Sequence, residues 1–268
     1  MKNNDSKSFL SKFKSYLTEE TLNINNLMPK ENLHQDFWID MNLDPVVLRK
    51  LSNVANDVME NLQISEFIED IILTGSIASY NWHSLSDIDL HFVFNFSKIN
   101  EDVELVKKML DLARMKWNKD HKILIFGHEV EIYFQDANEE HESSGVFSIL
   151  RDEWVENPVV SSKRPSNLSV TVKSIAIIRE IDRIQELFVE KRYNESYHYS
   201  KSLKRKIRNM RKAGLTRDGV FSVENMAFKV LRNNEKLSLL GFLKNASYDK
   251  IMGVNKLTKI KVEKDAEI

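Results

Sequence analysis

Hydrophobic periodicity changes once along this 268-residue chain, near Pro158, and that change limits the folds open to it. Before that point, short apolar runs of strand length alternate with helical patterns. After it, the spacing is helical throughout. Strands interleaved with helices need a sheet core, whereas consecutive amphipathic helices pack on each other. The expectation is an α+β chain: a small mixed β-sheet followed by a helical domain. Ser161-Ser-Lys-Arg-Pro165 reads as the linker. The expected divisions are a loosely ordered segment at 1–36, a sheet domain at 37–160, a helical domain at 161–254 and a flexible tail at 255–268.

Within the first part, a helix starts at Leu43. Asp44 is placed to cap it and Pro45 suits its first turn. Val47, Leu48, Leu51, Val54, Ala55, Val58 and Leu62 then recur at helical spacing. Phe67–Leu73 reads as a strand ending at Thr74-Gly75. Residues 76–85 should form one or two helical turns plus a loop, and Asp87–Phe94 is the next strand. Asp102–Trp117 reads as a helix. Lys122–Phe126 and Glu129–Phe134, joined at Gly127-His128, carry a hairpin signal. Beyond the linker, helices are predicted over Leu168–Glu190, Asn194–Lys212 and Ser222–Leu243. Weak helical patterning also touches Phe9–Leu17.

The chain has no cysteine, which excludes disulfides and thiolate metal sites. It has no apolar run of membrane-spanning length and no signal-peptide pattern at its start, so the expected setting is cytoplasmic, with no membrane partner. The net charge of −1 conceals a division. Residues 1–160 hold 15 Lys and Arg against 28 Asp and Glu, a net −13, while residues 161–268 hold 24 against 12, a net +12. Either the two parts dock on each other or the basic part faces a polyanion.

Asp87 and Asp89 open an apolar strand, and residues two apart on a strand point the same way. Side by side, two carboxylates repel. A hard divalent cation such as Mg²⁺ or Mn²⁺ resolves the conflict and can bridge to phosphate. Upstream, Gly75-Ser76 follows a strand; there the glycine permits close approach to a phosphate, and the turn amides and the Ser76 hydroxyl supply donors. Glu131, flanked by Val130 and Ile132, is an acid inside an apolar strand and the candidate third carboxylate. Glu129, on the same face, is the fallback, and a solvated edge strand explains it equally well. Asp-x-Asp alone and Gly-Ser alone are weak signals. Their order is more specific: strand, Gly-Ser, the ten residues Ile77–Ser86, Asp-x-Asp, then a later strand acid.

Thr74-Gly75-Ser76 and Asp87-Ile88-Asp89-Leu90 resemble the signature of the nucleotidyltransferase superfamily that includes DNA polymerase β, poly(A) polymerases, CCA-adding enzymes and oligoadenylate synthases. The lead-in from Leu43 to Leu73 is similar to that of uncharacterised bacterial and phage nucleotidyltransferase-domain proteins. The resemblance covers about residues 40–135. It implies metal-dependent transfer of a nucleoside monophosphate from an NTP, with ATP the expected donor, to an acceptor hydroxyl, releasing pyrophosphate. By position, Gly75 and Ser76 would bind phosphate, and Asp87, Asp89 and Glu131 would hold two Mg²⁺ or Mn²⁺ ions. Many relatives have Asp where this chain has Glu131.

The acceptor stays open between an RNA 3′ end, a second nucleotide, a small hydroxylated molecule and a protein side chain; the basic part favours RNA or a nucleotide. Seven of the twelve residues in Lys201–Lys212 are basic, on a helix whose other side carries Leu203, Ile207 and Met210. A solvated face is the plain explanation. The sharper one takes Lys204 or Arg208 to the triphosphate or a nucleic-acid backbone. The competing function is a catalytically silent nucleotide-binding or antitoxin-like module with the same fold. His91 shares the face of Asp89 and is within reach of the site, and Tyr80, Asn81 and His83 in the spacer are placed to contact a nucleotide; ordinary strand and loop polarity accounts for all four as well. Tyr133 and Phe134 read as core. His141–Gly145 looks like a functional loop of no assignable role.

Overall fold

The computed structural model describes residues 24–139 and 145–253. The chain divides into two compact units, one of Asn26–Lys163 and the other of Met1–Asn25 with Arg164–Ile268. In the first unit a two-stranded ribbon, β1 (Trp38–Ile39) and β2 (Asn42–Leu43), leads into helix α1 (Pro45–Leu62). Asp44 caps α1 as its sequence requires: one carboxylate oxygen accepts from the amides of Val46 and Val47 at 2.8 and 3.2 Å. Such caps contribute about 1 kcal/mol. Val47, Leu51, Val54, Ala55 and Val58 line the buried side.

A six-stranded mixed sheet follows. Its strands are β3 (Ile68–Thr74), β4 (Ile88–Phe94), β5 (Leu124–Ile125), β6 (His128–Asp136), β7 (Val146–Ser148) and β8 (Glu153–Glu156), in the spatial order β5-β6-β4-β3-β7-β8. β4 and β6 run parallel; the other neighbours are antiparallel. Between β4 and β5 lie a short helix α2 (Phe96–Ile99) and the long helix α3 (Val103–Asp120). Side chains two apart on a strand share a face, so the sheet sorts cleanly. One face carries Ile71, Leu73, Ile88, Leu90, Phe92, Phe94, Val130, Ile132 and Phe147, all buried in one core with α1 and with Val106 and Leu110 of α3. The other carries Thr74, Asp89, His91, Glu131, Tyr133 and Gln135, plus the small apolar cluster Ile72, Val93 and Val146.

The hairpin turn is Phe126-Gly127, one residue earlier than expected, with His128 already in β6. Both turn residues have positive φ, 50° and 85°, the pairing that a two-residue hairpin favours. β5 covers only the start of β6. Further along, the Asn118 side chain of α3 accepts from the Ile132 amide and donates to the Ile132 carbonyl, both at 3.0 Å, doing for that residue what a neighbouring strand would do.

Residues 76–85 do not make the helical turn expected of them; they form consecutive turns. Two bonds divert the backbone. The Trp38 indole donates to the Ile77 carbonyl at 2.8 Å, and the Ser79 hydroxyl donates to Asn81 Oδ1 at 2.7 Å while accepting from the Asn81 amide. Local side-chain bonds of this kind compete with helix. The strands β1, β2, β7 and β8 were not anticipated; each is four residues or fewer, too short to show a period.

The second unit is helical: α4 (Asn167–Val189), α5 (Tyr193–Asp218), α6 (Val223–Asn233) and α7 (Lys236–Met252). The expected single helix over Ser222–Leu243 is two. Glu235 takes a left-handed φ of 54°, and the Asn234 side chain bonds the Val230 carbonyl at 2.8 Å, closing α6. Ile177, Ile181, Leu203, Ile207, Met226, Val230, Leu239 and Leu243 form its buried side. Buried Ser196 and Ser247 share a hydrogen bond of 3.0 Å, small side chains where α5 and α7 meet.

Of the segment expected to be loose, residues 1–23, with the Phe9–Leu17 pattern, lie outside the described residues. Its end is anchored: Leu27 and Leu33 are buried, and the Lys30 amide donates to the Tyr80 carbonyl at 2.7 Å. The expected tail from 255 and residues 141–144 also lie outside the described residues. No helix among the described residues is long and apolar enough to cross a membrane.

Candidate functional site

Strand pairing builds the site. Thr74, the last residue of β3, faces Asp89 of β4, and Asp89 faces Glu131 of β6. Gly75 then turns the chain with φ +75°. A Cβ at Gly75 would lie 1.8 Å from Asp89 Oδ2 and 2.7 Å from its Cγ, so the backbone there is in direct contact with the carboxylate. Glycine is required twice, for the dihedral and for the space. The sequence separates Gly75 and Asp89 by thirteen residues; the antiparallel register brings them together.

The turns after Gly75 are held from several sides. Trp38 holds the Ile77 carbonyl, as described. Gly145 packs so closely that a Cβ there would lie 2.1 Å from the Ala78 carbonyl oxygen, and the Thr74 hydroxyl donates to the Gly145 carbonyl at 3.2 Å. Ser76 is half-buried at the start of this loop. At its end the Ser86 amide donates to the His83 carbonyl, and the His83 amide donates to the Ser86 hydroxyl, both at 2.9 Å. The buried His128 ring bonds the Ser86 carbonyl through Nδ1 at 2.6 Å. That carbonyl belongs to the peptide immediately before Asp87. Asp87 and Asp89 are both half-buried.

Glu131 shares the Asp89 face, as its place in the sequence suggested, and one of its oxygens accepts the Tyr133 hydroxyl at 2.7 Å. Tyr133 therefore does more than pack. Burial, the bond to Glu131 and the nearby charges of Asp89 and Glu131 push its phenol far above the ordinary range, opposed by Arg114. The Arg114 guanidinium of α3 lies 5.1 Å from the Tyr133 ring centre. His91 leans on the same ring at 4.9 Å and bonds Gln135 at 3.0 Å. Glu129, opposite Leu124, is half-buried on the Glu131 face. Among the described residues, no three His, Asp or Glu side chains are gathered as a ready-made metal cluster. The carboxylates are hard oxygen donors, and Mg²⁺ is usually held by one or two of them together with water and substrate phosphate. Asp89 lies within β4, whereas Asp87, expected to open the strand, lies one residue before it; the two are carboxylates of the kind that demand calls for.

Lys204 and Arg208 sit on α5 of the helical unit. The basic stretch there does not act as one face. Lys206 pairs with Glu180 at 2.7 Å, and Arg211 stacks on Phe228 at 4.2 Å while bonding Asn225. Lys204 instead has cations for neighbours. Partial burial, and then the charges of Lys244 on α7 and of Arg208, hold its ammonium below the usual lysine value. Its Nζ lies over Gly241, 3.7 Å from where a Cβ would be. None of Lys204, Arg208 and Lys244 forms an ion pair among the described residues. Lys244 escaped the sequence reading because it lies forty residues away on another helix; no spacing links it to Lys204. The Tyr133–Glu131 bond did carry a signal, a tyrosine two residues from an acid on one strand face.

No protein-family model matches this chain, and no curated protein does. A solved structure, that of a STING-associated CdnE c-di-GMP synthase from Flavobacteriaceae sp., aligns over 88% of this chain and 98% of its own, at 13% identity and a TM-score of 0.22. A likeness that faint carries no argument about this chain.

Proposed function

We propose that this protein is a metal-dependent nucleotidyltransferase that moves a nucleoside monophosphate from an NTP, expected to be ATP, to an acceptor hydroxyl of RNA or a nucleotide. The observation that carries this reading is the contact of the Asp89 carboxylate with the Gly75 backbone, beside Glu131 on the next strand. It sets a candidate anion-binding turn against carboxylates, the two halves that a metal triphosphate needs. Asp87 and Asp89, with Glu131 as third acid, would hold two Mg²⁺ or Mn²⁺ ions. Such ions, when bound, activate a hydroxyl and neutralise a departing pyrophosphate. The Gly75–Ser76 amides and the Ser76 hydroxyl would grip phosphate oxygens, which need donors at close range. Glu131, oriented by Tyr133, would accept the acceptor's proton. Lys204 and Arg208, with Lys244 beside Lys204, would bind phosphate of the nucleotide or of a nucleic-acid backbone.

A second reading has one observation in its favour: Glu131 is already engaged by the Tyr133 hydroxyl. In that reading the chain is a silent nucleotide-binding or antitoxin-like module. The deciding experiment incubates the protein with each α-labelled NTP, Mg²⁺ or Mn²⁺ and total RNA, beside an Asp87→Ala/Asp89→Ala control. Label transferred by the native protein and lost at least about a hundredfold in the control supports catalysis. Metal-dependent NTP binding with no label in any product supports the silent module. Neither binding nor transfer defeats both.

A further inference from the structure

Helix α3 buries one side and leaves an apolar stripe on another. Val106 and Leu110 are in the core, but Leu105, Met109, Leu112 and Met115 are between 48% and 67% exposed. At 100° per residue, Leu105, Met109, Leu112, Lys116 and Lys119 fall within an arc of about 80°. Stray exposed leucines are ordinary; three successive turns of them on one line are not. The charges along the line are ordered as well. Glu101 stands at its start with Asp102 beside it, and Lys116 and Lys119 stand at its end, where Asp120 pairs with Lys116.

We propose that this stripe is a homodimer surface, with α3 of one copy crossing α3 of a second copy in the antiparallel sense. A twofold axis between Met109 and Leu112 brings each copy's Met109 against the other's Leu112. It lays the Lys116 stem over Leu105 and sets Lys119 beside Asp102, so acidic starts meet basic ends at both edges. A parallel pairing would place like charges together. Each basic helix end also meets the acidic start of the other helix, where the helix dipoles oppose favourably. The surface charges are available for exchange. Lys116–Asp120 and Lys108–Glu104 are exposed pairs at 2.8 Å, of a kind that holds weakly, and Glu101 and Lys119 form no ion pair among the described residues. An 18-residue helix is about 27 Å long, so the contact is small. It lies at or below the lower end, about 1,200 Å², of stable interfaces, and the dimer should be a reversible one in the micromolar range.

Sedimentation velocity on the full chain across that range is the test. The expected result is a concentration-dependent dimer that Leu112→Glu weakens by at least about tenfold, with the far-ultraviolet circular dichroism unchanged. A Lys116→Glu/Lys119→Glu variant and a Glu101→Lys variant should each dimerise poorly alone and pair when mixed. A chain that stays monomeric, or a dimer indifferent to Leu112→Glu and to the charge swap, would overturn the proposal.

Discussion

Gly75 and Gly127 make the same backbone demand and answer to different surroundings. Gly75 directly follows β3 and Gly127 directly precedes β6, both with positive φ, 75° and 85°. An added Cβ at Gly127 meets nothing within 4 Å, whereas at Gly75 it strikes the Asp89 carboxylate. Gly127 serves a turn alone. Gly75 serves a turn and also leaves room for an acid beside it. A glycine required by φ is common in any hairpin; one that is also required by a neighbouring side chain is fixed twice, by dihedral and by packing.

The sharpest way to break this comparison is substitution at both positions. Gly75→Ala should cost more than about 3 kcal/mol, since dihedral strain and overlap add, and should abolish any transferase activity. Gly127→Ala should cost about 1 kcal/mol and spare activity. Chemical denaturation measures both, and equal costs would show that packing at Gly75 is irrelevant. Combining Gly75→Ala with Asp89→Ala should recover part of the loss, because the overlap is with that side chain.

A second test asks how much the Gly127 hairpin protects its strand. Asn118→Ala removes both bonds to the backbone of Ile132, a residue with no exposed surface, and should cost about 2 kcal/mol. Amide exchange should then quicken at Ile132 far more than at His128. If the two respond alike, the hairpin rather than Asn118 secures β6.

The smallest effect is one of pH, near the same turn. His34 packs edge-on against His128 with ring centres 5.0 Å apart. Burial, and then His128, hold the His34 imidazole below its ordinary 6.5, with Asp36 opposing. The unfolded chain thus takes up a proton where the folded chain does not. Stability is full above about pH 6.5 and declines as pH falls from there toward the folded value. Thermal melts from neutral to mildly acid pH should show this slope, and His34→Phe should flatten it.

Regular elements were legible in the sequence where pattern and punctuation agreed. Asp44-Pro45 marked the start of α1, although Leu43, expected to open the helix, closes β2 instead, and the apolar runs at 67–73 and 87–94 placed β3 and β4 to within one residue. What escaped depended on partners distant in the chain. β7 is a strand because β3 offers it an edge, β8 because β7 does, and residues 76–80 avoid helix because Trp38 claims the Ile77 carbonyl. The break at Asn234-Glu235 has no glycine or proline to announce it. At the candidate site, the residue types and their spacing were visible, and so was the shared face of Asp89 and Glu131. The contact of Gly75 with Asp89 was not, because it arises from strand register, and the gathering of Lys204, Arg208 and Lys244 arises from the packing of α5 on α7.

Trp38, Thr74 and Gly145 together fix the loop that begins at Gly75. The conformational entropy of those residues is surrendered when the chain folds, not when a guest arrives. An anion that docks on such a surface loses mainly its own freedom and its hydration. If the loop takes phosphate as proposed, loosening the hold from a distance, as Trp38→Phe would by deleting one indole donor, should weaken that binding although Trp38 donates only to the loop.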